Sequence, residues 1–227
     1  MPFQMALDEL LFRQMEENPQ PPILRFYYSG GPAVTVGYSH RHPRESEDQQ
    51  PLGDSRVRGN DRKPPLPVVQ RITGGGRVVH GEDLIFSLIA RKEHDESFRS
   101  VRVSYWKIHE ALKKGFETLG LGVRFYRCDE NLPEGPDCFR FPIASDLALG
   151  KEKIAGGAQK RSAGTLLHQE SVALCGRKSE DLIRAFVKGF ETIFGTQVQS
   201  VPLDPEWFEK AKALAENKYQ AMSPLSF

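Results

Sequence analysis

The chain has 227 residues, of which 39% are hydrophobic and 27% charged, with a formal charge of +1 at neutral pH. That length is enough to bury a sizeable core, and the near-zero charge excludes a global attraction to nucleic acid or membrane, so a charged partner has to meet a local patch. The longest apolar run, around Leu84 to Ala90, is too short to cross a bilayer.

Phe3, Leu7, Leu10, Leu11 and Met15 recur at helical spacing between Phe3 and Glu17, and the NPQPP that follows stops this first helix. The stretch is amphipathic and acidic and does not have the basic-then-apolar pattern of a secretory leader. ILRFYY and AVTVGY, separated by SGGP, then read as the two strands of a hairpin. Arg25, among their apolar residues, is either an edge charge or half of a buried pair. From 39 to 67 the composition turns to charges and prolines without apolar periodicity, the pattern of a long exposed polar loop. Its arginines and Lys63 could gather into a basic patch, but the interleaved acids favour a plain solvated loop.

RITGGGRVVHGEDLIFSLIA, from Arg71 to Ala90, sets three glycines between two β-branched stretches, more than turn chemistry needs. Either this is a loose hairpin or bulge, or the backbone there approaches a ligand and offers bare N–H groups to an anionic or polarised oxygen. An amphipathic helix follows over 101–120, with Val103, Trp106, Leu112, Phe116 and Leu119 on one side and a glycine at its end. VRFYR reads as a strand and CDENLPEGPDC as a loop. Further β-type stretches are broken by Gly150, the Gly156-Gly157 pair and Gly164. Lys153 lies beside that glycine pair and follows Asp146, so a cation and bare backbone can converge on the same ligand oxygens. Helices near Ser179 to Phe194 and Pro205 to Tyr219 close the chain. Helices at the ends with strands between them predict one α+β domain over 1–227, a mixed and mostly antiparallel sheet flanked by helices. Three cysteines, Cys128, Cys138 and Cys175, are an odd number without zinc spacing; they predict no metal site and a reducing, cytoplasmic setting.

Taken in order, MALDELL, ILRFYY with AVTVGY, QRITGGGRVVH and GKEKIAGGAQKR resemble the lipoate/octanoate protein ligase and acyltransferase family, relatives of the biotin protein ligases. The resemblance covers most of the chain and implies a lipoate-ligase catalytic fold. It also implies acyl transfer onto a lysine of a small carrier domain, a lipoyl domain or the glycine-cleavage carrier protein, with no nucleic acid or membrane partner. By the same resemblance Arg71, Thr73, Gly74, Gly75, Gly76, His80, Gly156 and Gly157 bind substrate, and Lys153 is catalytic. From the residues alone His80 could equally be a core histidine with satisfied hydrogen bonds. DCFRFPIASDLALGKEKIAGG resembles the layout of the cysteine-dependent octanoyltransferases, which implies an acyl carrier protein thioester as donor and Cys138 as nucleophile. Without that motif Cys138 would read as a small buried hydrophobe. This route needs no cofactor beyond the transferred lipoyl or octanoyl group; ATP and Mg²⁺ enter only for the alternative, an ATP-dependent lipoate-protein ligase. The stretch after AENKYQ leaves no room for the small second domain of many such ligases, which favours the transferase. A third reading is a non-catalytic binder of lipoyl carriers, suggested by Gln169-Glu170 where a His-Gly pair is common in the family.

Overall fold

The computed structural model describes residues 1–38, 66–126 and 145–220. In chain order the elements are α1 (Pro2–Glu17), β1 (Ile23–Tyr27), β2 (Ala33–Val36), β3 (Val68–Gln70), β4 (Arg77–His80), β5 (Leu84–Arg91) and α2 (Val101–Thr118). Then come β6 (Arg124–Phe125), β7 (Leu147–Leu149), β8 (Glu152–Ser162), β9 (Thr165–Val172), α3 (Ser179–Phe194) and α4 (Pro205–Lys218). A six-stranded antiparallel sheet runs in the order β1-β5-β9-β8-β7-β6, and a three-stranded sheet in the order β3-β2-β4. The one parallel pairing among them is β2 with β3. This is the mixed, mostly antiparallel α+β architecture that the order of the elements predicts.

Period-two alternation divides the large sheet between two cores. On β5, Leu84, Phe86, Leu88 and Ala90 join a cluster with Ile108, Leu112 and Phe116 of α2 and Leu182, Phe186 and Phe190 of α3. Ile89 and Ile85 point the other way, to Leu7, Leu11 and Met15 of α1 and to Met5 and Tyr27. The sheet is thus covered by α2 and α3 on one face, and by α1, α4 and the small sheet on the other.

Two expectations are corrected. ILRFYY and AVTVGY form strands but not a hairpin: β1 pairs with β5, whereas β2 pairs with β3 and β4. All four residues of β2 are buried, so it takes the centre of the small sheet with a partner on each edge instead of lying beside β1. On α2, Val103 is half exposed, and the buried stripe runs through Ser104, Ile108, His109, Leu112 and Phe116. Arg25 is the buried-pair alternative, its guanidinium bound to the fully buried Asp8 carboxylate, which also accepts from Tyr27, Ser87 and Gln169. Cys175 is half-buried at the rim of the α2–α3 core. Cys128, Cys138 and the stretch 39–65 lie outside the described residues.

Candidate functional site

The glycine loop is built around Arg71. This buried side chain donates to the Gly74 and Gly76 carbonyls at 2.9 and 3.0 Å and to Thr35 Oγ1 at 3.0 Å. Gly75 has φ +86°, where a side chain is strained. Gly37 lets the end of β2 pass against the loop, since a Cβ there would stand 2.6 Å from the Gly74 backbone. Of the three glycines, Gly75 is thus required by its left-handed backbone, while Gly74 and Gly76 offer the carbonyls that bind Arg71. The buried Thr73 hydroxyl donates to Gln169 Oε1 at 2.7 Å, and Gln169 donates in turn to Asp8 at 2.7 Å. Through this amide, strand β9 ties the loop to α1.

His80 ends β4 with both ring nitrogens bound. Asp83 Oδ2 lies 2.7 Å from Nδ1, and Thr35 Oγ1 lies 2.9 Å from Nε2. An ionised carboxylate only accepts, so Nδ1 carries the proton, and in the neutral ring the Thr35 hydroxyl donates to Nε2. Burial alone would raise the Asp83 carboxyl, but the hydrogen bond and charge of His80, with bonds from Ser171 and the Gly81 N–H, overcome it and hold the carboxyl below its usual range. Sequence reasoning missed Asp83, although its position three residues after His80 was the available signal.

Lys153 reaches the same place from the large sheet through a bulge. The β7–β8 register shifts between Leu147 and Ala148, and the neighbouring residues Ile154 and Ala155 both enter the α2–α3 core. Strict alternation would put Lys153 on the face of Ala155. The extra residue instead turns it to the face of Gly156, where a Cβ would stand 2.5 Å from Nζ. The ammonium pairs with Asp146 Oδ2 at 2.8 Å and is nearly buried. Arg71, Gly75, His80, Lys153, Gly156 and Gly157 all line one pocket, and Met5, Val78 and Ile85 supply an apolar wall. The structure thus brings together the sequence-predicted residues of both glycine segments, with Thr73 and Gly74 in the supporting loop.

A model of the lipoyl protein ligase A/B catalytic domain matches residues 1–205. The chain belongs to the lipoyl protein ligase A/B catalytic domain family. Among relatives of this family, the octanoyltransferase LipM of Bacillus cereus is 30% identical over 96% of this chain and 91% of its own length. LipM of Moorella thermoacetica is 31% identical over 75% of this chain, and LipM of Bacillus subtilis 34% identical over 76%. The matched regions span 60% and 61% of those two relatives' lengths. In fold the chain is similar to a lipoate-protein ligase A bound with ATP, with a TM-score of 0.70 at 19% identity, covering 96% of this chain and 90% of the other. It is also similar to the bipartite lipoate protein ligase of Thermoplasma acidophilum studied with its E2 lipoyl domain, with a TM-score of 0.62 at 17% identity over 96% and 88% of the two chains.

Proposed function

We propose that this chain is an octanoyltransferase that takes an octanoyl group from an acyl carrier protein thioester and passes it, through Cys138, to the ε-amine of a lysine on a lipoyl domain. The observation that carries this reading is the pairing of charge and apolar wall in one pocket. An acyl tail can lie along Met5, Val78 and Ile85 while its carbonyl meets the Lys153 ammonium beside Gly75 and Gly156. Octanoyltransferase relatives similar over nearly the whole chain support the same chemistry.

In this mechanism the Cys138 thiolate attacks the thioester carbonyl, the carrier's pantetheine thiol leaves, and an octanoyl-enzyme thioester remains. The acceptor amine, once neutral, attacks that thioester, forms the amide and releases the cysteine thiolate. Lys153 contributes a fixed positive charge where the oxyanion develops in both steps. The test is intact-mass measurement after incubation with octanoyl acyl carrier protein and, separately, with octanoate and ATP, each with and without a lipoyl-domain acceptor. An acyl adduct in the first mixture, passed on when acceptor is added, is the expected result. Product from the ATP mixture alone would instead make the chain a ligase.

A further inference from the structure

Directly beneath Gly157, where Glu170 borders the pocket, lies a polar cluster whose histidines the mechanism above does not use. Glu170 Oε2 accepts from His109 Nε2 at 2.9 Å and from His168 Nε2 at 2.7 Å, and all three side chains are fully buried. A residue larger than glycine at 157 would collide with this group, since a Cβ would stand 2.7 Å from His168 Nε2.

Among the described residues these three form a set whose ligand atoms are close enough to hold a metal ion. The hydrogen-bond chain assigns them otherwise. Arg161 Nε, which can only donate, lies 3.0 Å from Gln159 Oε1, so the amide NH₂ of Gln159 faces His168 Nδ1 at 3.1 Å. Nδ1 of His168 therefore accepts, and its proton sits on Nε2, directed at Glu170. His109 Nδ1 is bound to the Ser145 carbonyl, which only accepts, while its Nε2 faces the carboxylate. Both nitrogens of His109 are thus donors and the ring is an imidazolium. With Glu170 ionised, both Nε2 atoms carry protons directed at its carboxylate, and the set reads as a buried imidazolium–carboxylate–imidazole array.

Through His109 the array reaches the segment that holds Lys153. Ser145, held by His109, precedes Asp146, whose carboxylate fixes Lys153 and whose carbonyl accepts from Tyr126 N–H at 2.8 Å. We propose that Glu170 and His109 are positioning residues for the acyl-transfer site: the carboxylate keeps His109 doubly protonated, and His109 fixes the Ser145–Asp146 segment that aims Lys153 into the pocket. The proposal rests on the reading of Lys153 as catalytic. An apolar core position could be filled at far lower desolvation cost, and a buried ion pair adds little to stability over a well-packed apolar pair of similar size. Its particular property here is a charged, directional donor to one backbone carbonyl beside the site.

The test compares the wild type with the double variant His109→Phe/Glu170→Leu, which removes both charges while roughly keeping volume, and with Glu170→Gln. Octanoyl transfer is measured together with the ¹⁵N signal of the Lys153 ammonium, assigned by its loss in Lys153→Arg. The expected result is a folded double variant with a displaced Lys153 signal, kcat lowered by about tenfold or more, and KM for the acceptor nearly unchanged, because small misplacements of a reacting group cost rate. Unchanged kcat in the folded double variant overturns the proposal. So does a fall in kcat with an unmoved Lys153 signal, because the effect would then not pass through that lysine. Near-normal turnover in Lys153→Ala removes the catalytic reading of the lysine whatever the double variant does, so the two failures are told apart.

Discussion

Lys153 owes its place to one irregular residue spacing. The lysine was legible in the sequence as a cation beside a glycine pair, but its face was not, because alternation along β8 points it into the α2–α3 core and only the register shift at Leu147/Ala148 reverses that. Replacing Lys153 by Ala should lower turnover by about a hundredfold or more, the scale of losing one oxyanion donor, and should also lower the melting temperature, because the buried Asp146 carboxylate loses the ammonium that faces it. Steady-state kinetics on the folded variant checks this, and activity near the wild-type level would end the assignment. Cys138→Ser should fold yet form no acyl adduct, because an alcohol lacks the thiolate's reactivity without a dedicated base. Cys175, half-buried at the core rim with a thiol pushed up in pKa first by burial and then by Glu152, should be replaceable by Ser without loss of transfer. Intact mass after exposure to the carrier thioester separates the two cysteines directly.

At the scale of elements, helices were readable wherever apolar residues recurred, and α1, α3 and α4 fall close to their predicted limits. Strand pairing was not, because the partner of β1 is β5, about sixty residues away in sequence, and nothing local to ILRFYY specifies it. The same holds for Glu170. Its sequence position marked it as unusual, but the reason an acid is tolerated there is His109, 61 residues earlier on α2, where it reads as one more member of a buried stripe. The glycine loop was legible as a close approach, yet the surface it approaches is the end of β2. Gly37→Ala should therefore damage the site as much as a change in the loop itself. Its Cβ would meet backbone at Gly74 and Gly75, which cannot move aside as a side chain tip can. A loss of about 1–3 kcal/mol in unfolding free energy is expected, the usual cost of overpacking, together with weakened transfer. Urea unfolding measures it, and a variant as stable and active as the wild type would show that the loop shifts freely.

Across the whole molecule the buried charges act on stability in a definite direction with pH. Burial pushes the Glu170 carboxyl up, but the charge of His109 and the bonds from both histidines bring it down to about 2. Its stabilisation is complete above its unfolded value of 4.5 and is lost as pH falls toward about 2. Glu9 acts in the same sense: burial opposes, but Lys218 and Tyr219 at the end of α4, with Arg13, hold it below its usual range and clasp α4 to α1. His109 is opposite in sign. Burial lowers it, but Glu170 and the Ser145 carbonyl outweigh burial and raise it, so its contribution is present below 6.5 and is lost as pH rises through the elevated value. His168 is lowered, chiefly by burial, and so favours folding as pH rises toward 6.5. The two histidines therefore act in successive windows, and their part of the wild-type profile should rise toward 6.5 through His168 and fall above it through His109. The other ionisable groups facing them are Asp146, Tyr105 and Arg161. In Glu170→Gln the strongest of the groups that raise His109 is gone and only the Ser145 carbonyl and Asp146 still oppose burial, the largest cause, so both histidines then resist protonation more than in the wild type. The variant should gain stability steadily as pH rises from about 5 to 7, while its acid loss below about 4.5 becomes shallower. Urea midpoints of both proteins across this range decide the matter. Parallel profiles for wild type and variant would mean that His109 does not depend on Glu170 for its charge, and the imidazolium assignment would fall with them.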